Sequence, residues 1–135
     1  MEPVTWHTVR LFVHIVAATI WVGGQLTLAG LVPGARQIDP ELPKTLARRF
    51  NRLAWPAYAV LVVTGLWNIE AVRDFHTGDT AWRVTLVVKV VVVGLSGLSA
   101  FAHQRSKSTL GLAVWGTLTS LSAIGALWLG VMLGT

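Results

Sequence analysis

The chain has 135 residues, of which 53 % are hydrophobic and only 13 % charged, with a net charge of +5. That is about half the usual charged fraction, and a chain this short has too little interior to hide so much apolar surface, so a soluble globular domain and a disordered segment are both excluded and the expected solvent is lipid. With no cysteine and two methionines, the chain also lacks the means for disulfides, thiolate chemistry, Cys-ligated zinc, iron–sulfur clusters or a thioether-rich metal relay.

Four stretches are long enough to cross a bilayer, which takes about 20 apolar residues. The first covers about 9–31. It does not read as a cleaved signal peptide, because Glu2 precedes it, no basic segment leads it, and it is too long. A connection follows through Pro33, Gly34, Asp39, Pro40 and Pro43. Asp39 before Pro40 and Glu41 predicts an N-cap with proline at the first helical position. A short interfacial helix is therefore expected over Pro40–Arg49. The second span covers about 50–69, with a strictly apolar core from Ala54. The next connection runs over 71–81, where Asp79 or Thr80 caps the third helix. The third span covers about 84–102 and is interrupted by Lys89. After a connection over 104–109, the fourth covers about 110–133. The length of the apolar runs and the absence of strand-scale turns favour helices. A membrane barrel needs at least about eight strands, more than the chain can supply. The expected fold is a single all-α integral membrane domain over 1–135, a four-transmembrane-helix bundle.

Basic residues set the orientation. The first and third connections carry Arg36, Lys44, Arg48, Arg49, Arg52, Arg105 and Lys107, whereas the opposite side carries Arg10, Arg73 and Arg83 with Glu2, Glu70, Asp74 and Asp79. The richer side should face the cytoplasm and both termini the outside. The location implied is the bacterial inner (plasma) membrane. Because the basic residues border apolar spans, nucleic acid is not an expected partner; the lipid bilayer is. Trp6 and Trp82 sit near the outer boundaries, as interfacial anchors do.

A polar side chain within a span is a functional candidate by default. His14 lies about one turn inside the first span. His7, His14 and Trp21 recur every seven residues on one face, with Gln25 one turn on. In the third span Lys89, Ser96 and His103 recur in the same way. His14 and Lys89 both lie near the outer ends of their helices, and His76 lies in the outer loop. Three imidazoles (His7, His14 and His76) suit copper, zinc or nickel. Haem is the other ligand that bundles hold by histidine. His14 and His103 are roughly 20 Å apart by helix rise, too far to clamp one haem within a protomer. His14 alone, or with His76, fits haem, with Lys89 on a propionate or as an axial ligand. Trp21 and Tyr58 are candidates to wall a planar ligand.

Plainer readings stand beside these. His7 and His76 also read as surface histidines, His103 as an interfacial residue, Lys89 as a side chain snorkelling to the headgroups, and His14 as a structural hydrogen bonder. Gly23, Gly24, Gly94, Gly97, Gly111, Gly116 and Gly125 allow close helix approach. Gly23, Gly24 and the Thr64-Gly65 pair also leave room for a bulky ligand. No nucleotide fingerprint is present, and no serine–histidine–carboxylate set, so a hydrolase is not expected.

Three segments resemble a known family. Phe12-Val-His14-Ile-Val-Ala-Ala-Thr-Ile-Trp21-Val-Gly23-Gly24 is similar to the first-helix signature of the copper resistance D (CopD) type membrane domain. Phe50-Asn-Arg52-Leu-Ala-Trp-Pro56, with Val63-Thr64-Gly65-Leu66, resembles its second helix. Trp82-Arg83-Val-Thr-Leu-Val-Val-Lys89 resembles its stretch ending in a lysine. The likeness covers about 10–105. It implies copper binding, transport or homeostasis at the membrane, with His14 as the inner ligand and His7 or His76 outside it; four helices seldom enclose a whole pathway, so a homodimer fits transport. A more distant likeness to HemJ-type four-helix proteins implies a haem b or porphyrin protein, for electron transfer or porphyrinogen oxidation. Those proteins rely on a first-helix histidine and a third-helix lysine, which His14 and Lys89 match. A redox activity follows if haem is bound. A non-catalytic membrane subunit, whose polar groups lock helix packing, is the third expectation. Copper leads on the coverage of the likeness, with haem next.

Overall fold

The computed structural model describes residues 3–134; Glu2, read above as the acid ahead of the first span, lies outside them. Among the described residues every regular element is helical and there is no strand. The chain divides into two compact units, Met1–Asp74 and Phe75–Thr135.

The first unit begins with α1 (Trp6–Ala18), passes through a π-helical segment, Thr19–Gly23, and goes on as α2 (Gly24–Ile38). Thr5 caps α1 by accepting from the Thr8 amide at 3.2 Å, and the Thr8 hydroxyl accepts in return from the Thr5 amide at 3.4 Å. This is a capping box with threonine in the role usually held by glutamate. The π segment admits one extra residue per turn. It brings two consecutive large side chains, Trp21 and Val22, into the interior.

The expected connection at Pro33 is not a break. Helix α2 contains Pro33 and continues to Ile38. Proline has a helical φ but removes one backbone bond and crowds the carbonyl four residues back, a cost that helices in membranes tolerate through local adjustment. The helix stops at Asp39, whose backbone is extended and whose amide bonds to the Ala35 carbonyl. Nor does Asp39 cap the next helix. Its carboxylate accepts from the Glu41 amide at 2.9 Å and its carbonyl from the Leu42 amide at 3.0 Å. That turn places Pro43, rather than Pro40, in the first turn of α3 (Leu42–Val72). The separate interfacial helix expected over Pro40–Arg49 is the start of this one 31-residue helix. Between Arg48 and Leu53 there is no glycine or proline to interrupt it.

Helix α1 and α3 pack antiparallel, and the pairs along the seam follow in order: Arg10 with Asn68, His14 with Thr64, Trp21 with Tyr58. On α2, a Cβ at Gly24 would overlap the Phe50 ring. Glycine is required there for the helices to lie this close. At Gly23 the same atom would meet nothing within 4 Å.

The second unit is a helical hairpin, α4 (Thr80–Arg105) and α5 (Thr109–Gly134). Before it, a 3-10 turn spans Arg73–His76, and Gly78 takes a left-handed φ of 89° that an L side chain rarely adopts. Asp79 caps α4 as expected, accepting from the Trp82 amide at 2.9 Å. The Lys89, Ser96 and His103 stripe faces α5. Ser96 donates to the Thr119 carbonyl at 3.2 Å, and Thr119 donates to the Ser96 carbonyl at 2.8 Å. His103 donates from Nδ1 to the Leu112 carbonyl at 2.9 Å and lies against Gly116.

Three helices, Trp6–Ile38, Thr80–Arg105 and Thr109–Gly134, are long and apolar enough to cross a membrane. Helix α3 falls outside that group. It carries Arg48, Arg49 and Arg52 before its apolar core, and Asn68 and Glu70 after it. The side-chain distribution inverts that of a water-soluble core. The buried apolar residues include Ala17, Ala54, Ala57, Ala100 and Ala123, and the largest side chains that are fully buried are Ser96 and Ser99. Large apolar side chains point outward: Phe12, Val63, Leu98, Leu121 and Trp128 are each more than half exposed. Small residues let helices meet closely where lipid removes any hydrophobic penalty for facing out.

Candidate functional site

Helix α1 is apolar apart from its capped start and one inward face. That face carries Arg10 and His14, one turn apart. Helix α3 offers Thr64 and Asn68 with the same four-residue spacing, and because the helices are antiparallel the two pairs meet in order. His14 is half-buried, with Nδ1 2.8 Å from the Thr64 hydroxyl oxygen. The Thr64 hydroxyl donates its single hydrogen to the Val60 carbonyl at 2.6 Å. With its hydrogen on Val60, the Thr64 oxygen accepts from His14, the arrangement that the Nδ1-protonated tautomer makes. In that tautomer the lone pair is on Nε2. Gly65 lies beneath the ring: a Cβ there would stand 3.4 Å from His14 Cε1.

Seven residues further along, the two helices bring three aromatic rings together. Trp21 is buried, its ring centroid 4.5 Å from Tyr58 and 5.5 Å from Trp55. Tyr58 and Trp55 meet edge to face at 5.8 Å. Trp21 and Tyr58, each a candidate from the sequence to wall a planar ligand, are thus in ring contact, and Trp55 joins them. Beside this seam an apolar groove is lined by Phe12, Val16, Ile20, Leu53, Pro56 and Val60.

His7 lies earlier on α1, and His76 and Lys89 belong to the second unit. His7 is exposed on α1, two turns before His14 and about 10 Å from it by helix rise. Arg10, counted above as a surface charge beside the first span, is instead buried. In the second unit His76 stacks on Trp82 with centroids 4.5 Å apart and ring planes 1° from parallel. Its Nδ1 is 3.9 Å from an Asp79 oxygen. Lys89 is half-buried, and its Nζ would stand 3.0 Å from a Cβ on Gly130. The end of the Lys89 side chain thus lies against α5 at Gly130. Among the described residues of neither unit do three His, Asp or Glu side chains converge as a metal cage would require.

Thr64 and Arg10 were not picked out by sequence reasoning as partners. The signal was the repeated four-residue spacing of polar pairs, Arg10 with His14 and Thr64 with Asn68, on two apolar helices that must run antiparallel. Comparison with protein-family models, with curated proteins and with solved structures finds no match.

Proposed function

We propose that the chain is a multi-pass plasma-membrane protein that binds haem through His14. The observation that supports it most is the orientation of one imidazole. The bond between Nδ1 and Thr64 orients the ring, as the second-sphere partners of metal-bound histidines do. Haem needs one such imidazole as an axial ligand, whereas a copper site free of sulfur wants two or three nitrogen ligands together. The half-buried rings of Trp55 and Tyr58, with the buried Trp21 packed against them, suit a planar ligand, and Gly65 removes bulk beside the imidazole. Bound haem would supply one-electron chemistry; the residues of this chain would position and insulate it.

The membrane topology proposed is four spans, with α3 as the second and both termini outside. Removing the buried Arg10 from the surface tally leaves seven basic residues on one side against Arg73 and Arg83 on the other, which strengthens the bias. A reporter fused after Thr135 that is active only outside the cytoplasm should be active.

Copper is the second reading. His7 and His14 share a face of α1, and the likeness of three segments to the copper resistance D type domain supports it. The test is metal analysis of protein purified in mild detergent from cells supplied with iron and copper. Haem binding predicts iron that is lost in His14→Ala. Copper that follows His14 would transfer the conclusion to the second reading. Neither metal following His14 would sink both and leave a non-catalytic membrane subunit.

A further inference from the structure

Arg10 is the only charged side chain buried among the described residues, with 6 % of its surface exposed. Its Nε–H donates to Asn68 Oδ1 at 2.5 Å, and its guanidinium carbon lies 5.7 Å from the centre of the Trp67 ring. Nε only donates, so the Asn68 atom facing it is oxygen and the Nδ2 amide remains a donor. The acids closest in sequence to Asn68 are engaged elsewhere. Glu70 pairs with Arg73 at 3.0 Å and Asp74 with Arg73 at 3.7 Å. Among the described residues no carboxylate pairs with Arg10.

A guanidinium holds five N–H donors in a rigid fork suited to a planar or tetrahedral oxyanion. Asn68 uses one of them. A buried cation without a counter-charge is costly, and in lipid more so than in water. We propose that Arg10 and Asn68 form an oxyanion-binding site, one helical turn from His14, for the acidic group of an amphiphile lying in the membrane. The chemistry is a carboxylate or a phosphodiester joined to an apolar body. The guanidinium fork takes the oxygens, the Asn68 amide adds a donor, and the half-exposed Trp67 ring offers a flat face beside them. Two sources carry that chemistry: a carboxylate of the ligand held by His14, and the phosphodiester of an anionic lipid. The site rests on the membrane reading and not on haem.

The experiment has two arms, each run on the full chain and on Arg10→Gln. In the first, haem and its dimethyl ester are titrated optically. A ligand carboxylate at Arg10 predicts that Arg10→Gln weakens haem about tenfold or more and leaves the diester unchanged. In the second, the protein is placed in phosphatidylcholine nanodiscs containing phosphatidylglycerol, and retained lipid is read by native mass spectrometry. A lipid phosphodiester predicts one phosphatidylglycerol retained by the native chain and lost in Arg10→Gln. Either result supports the site and names its source. If the native chain takes up no haem, the haem reading falls and the lipid arm alone decides. The site is overturned if Arg10→Gln weakens haem and diester alike, or changes neither arm. Should Arg10→Gln fail to fold, Arg10→Lys keeps the charge without the fork, and the same discrimination is read from it.

Discussion

Thr64 is the residue whose replacement probes the His14 arrangement most cleanly. Thr64→Val keeps the β-branched shape and the buried position but deletes the acceptor 2.8 Å from His14 Nδ1. It also deletes the hydroxyl's bond to Val60, which lies within α3 and leaves the backbone ladder intact. A single such bond is worth about 0.5–1.5 kcal/mol in net stability, and interhelical bonds in membranes average near 0.6 kcal/mol. Folding should thus suffer by about 1 kcal/mol, too little to disrupt the α1–α3 seam. The effect on a ligand at Nε2 is larger, because the ring loses both its fixed orientation and its fixed tautomer. Replacing such a second-sphere partner costs about 10- to 100-fold in metal affinity. We expect about tenfold weaker haem binding in Thr64→Val, with Thr64→Ser close to the native chain, read by optical titration in detergent. Nitrogen NMR of the ligand-free protein supplies an independent check. His14 should be protonated at Nδ1 in the native chain and mixed in Thr64→Val. Equal affinity in all three chains, with Nε2 protonated in the native one, would refute the reasoning.

Three further outcomes follow from packing. Gly24→Leu should destabilise the first unit by about 1–3 kcal/mol, because its side chain must displace the Phe50 ring; Gly23→Ala should be neutral or slightly stabilising, since nothing lies within 4 Å and alanine favours helix. Thermal unfolding followed by fluorescence-detected size exclusion ranks the two, and equal loss from both would contradict the geometry. Asp79→Ala should cost about 1 kcal/mol through loss of the α4 cap while Asp79→Asn costs little, as measured by amide hydrogen exchange over the first turn of α4. Thr119→Val should loosen the α4–α5 hairpin by about 0.5–1.5 kcal/mol, and Ser96→Ala by a similar or smaller amount, given their bonds of 2.8 and 3.2 Å. Double substitution should depart from additivity, since the two residues touch and bond each other reciprocally.

The helices and the faces on which several candidate residues lie were legible in the sequence, for reasons that can be located. Asp79 reads as a cap because its short carboxylate reaches the amide three residues on and an apolar run follows it. His14 and Trp21 share a face by simple helical spacing, and the Lys89–Ser96–His103 repeat marks the seam that α5 covers. Other features resisted because local signals competed with continuity. Pro33-Gly34 is a strong turn signal, yet neither residue blocks a helix already formed, so the break moves to Asp39. The charged stretch Lys44–Arg52 looks like a separate interfacial helix, but charge alone does not end a helix.

The partner of an inward polar residue is the least legible quantity, because it depends on how two helices are set against each other. Arg10 carries the same charge as a headgroup-facing arginine, and only the register of α1 against α3 buries it on Asn68. The π segment at Thr19–Gly23 shifts the face of everything after it, so the expected alignment of Gln25 with His14 cannot be read from a regular 3.6-residue period. Thr64 is similar. In isolation it is a small helix-seam residue, and it becomes a tautomer-setting partner only opposite His14.

The central claim is a haem held by His14, and one absorption spectrum tests it directly. Protein purified from haem-replete cells is recorded oxidised and then after reduction with dithionite. The account predicts an intense Soret absorption that shifts on reduction and is absent in His14→Ala, with helical circular dichroism unchanged. A visible spectrum that is blank, or a Soret absorption that persists unaltered in His14→Ala, would contradict it.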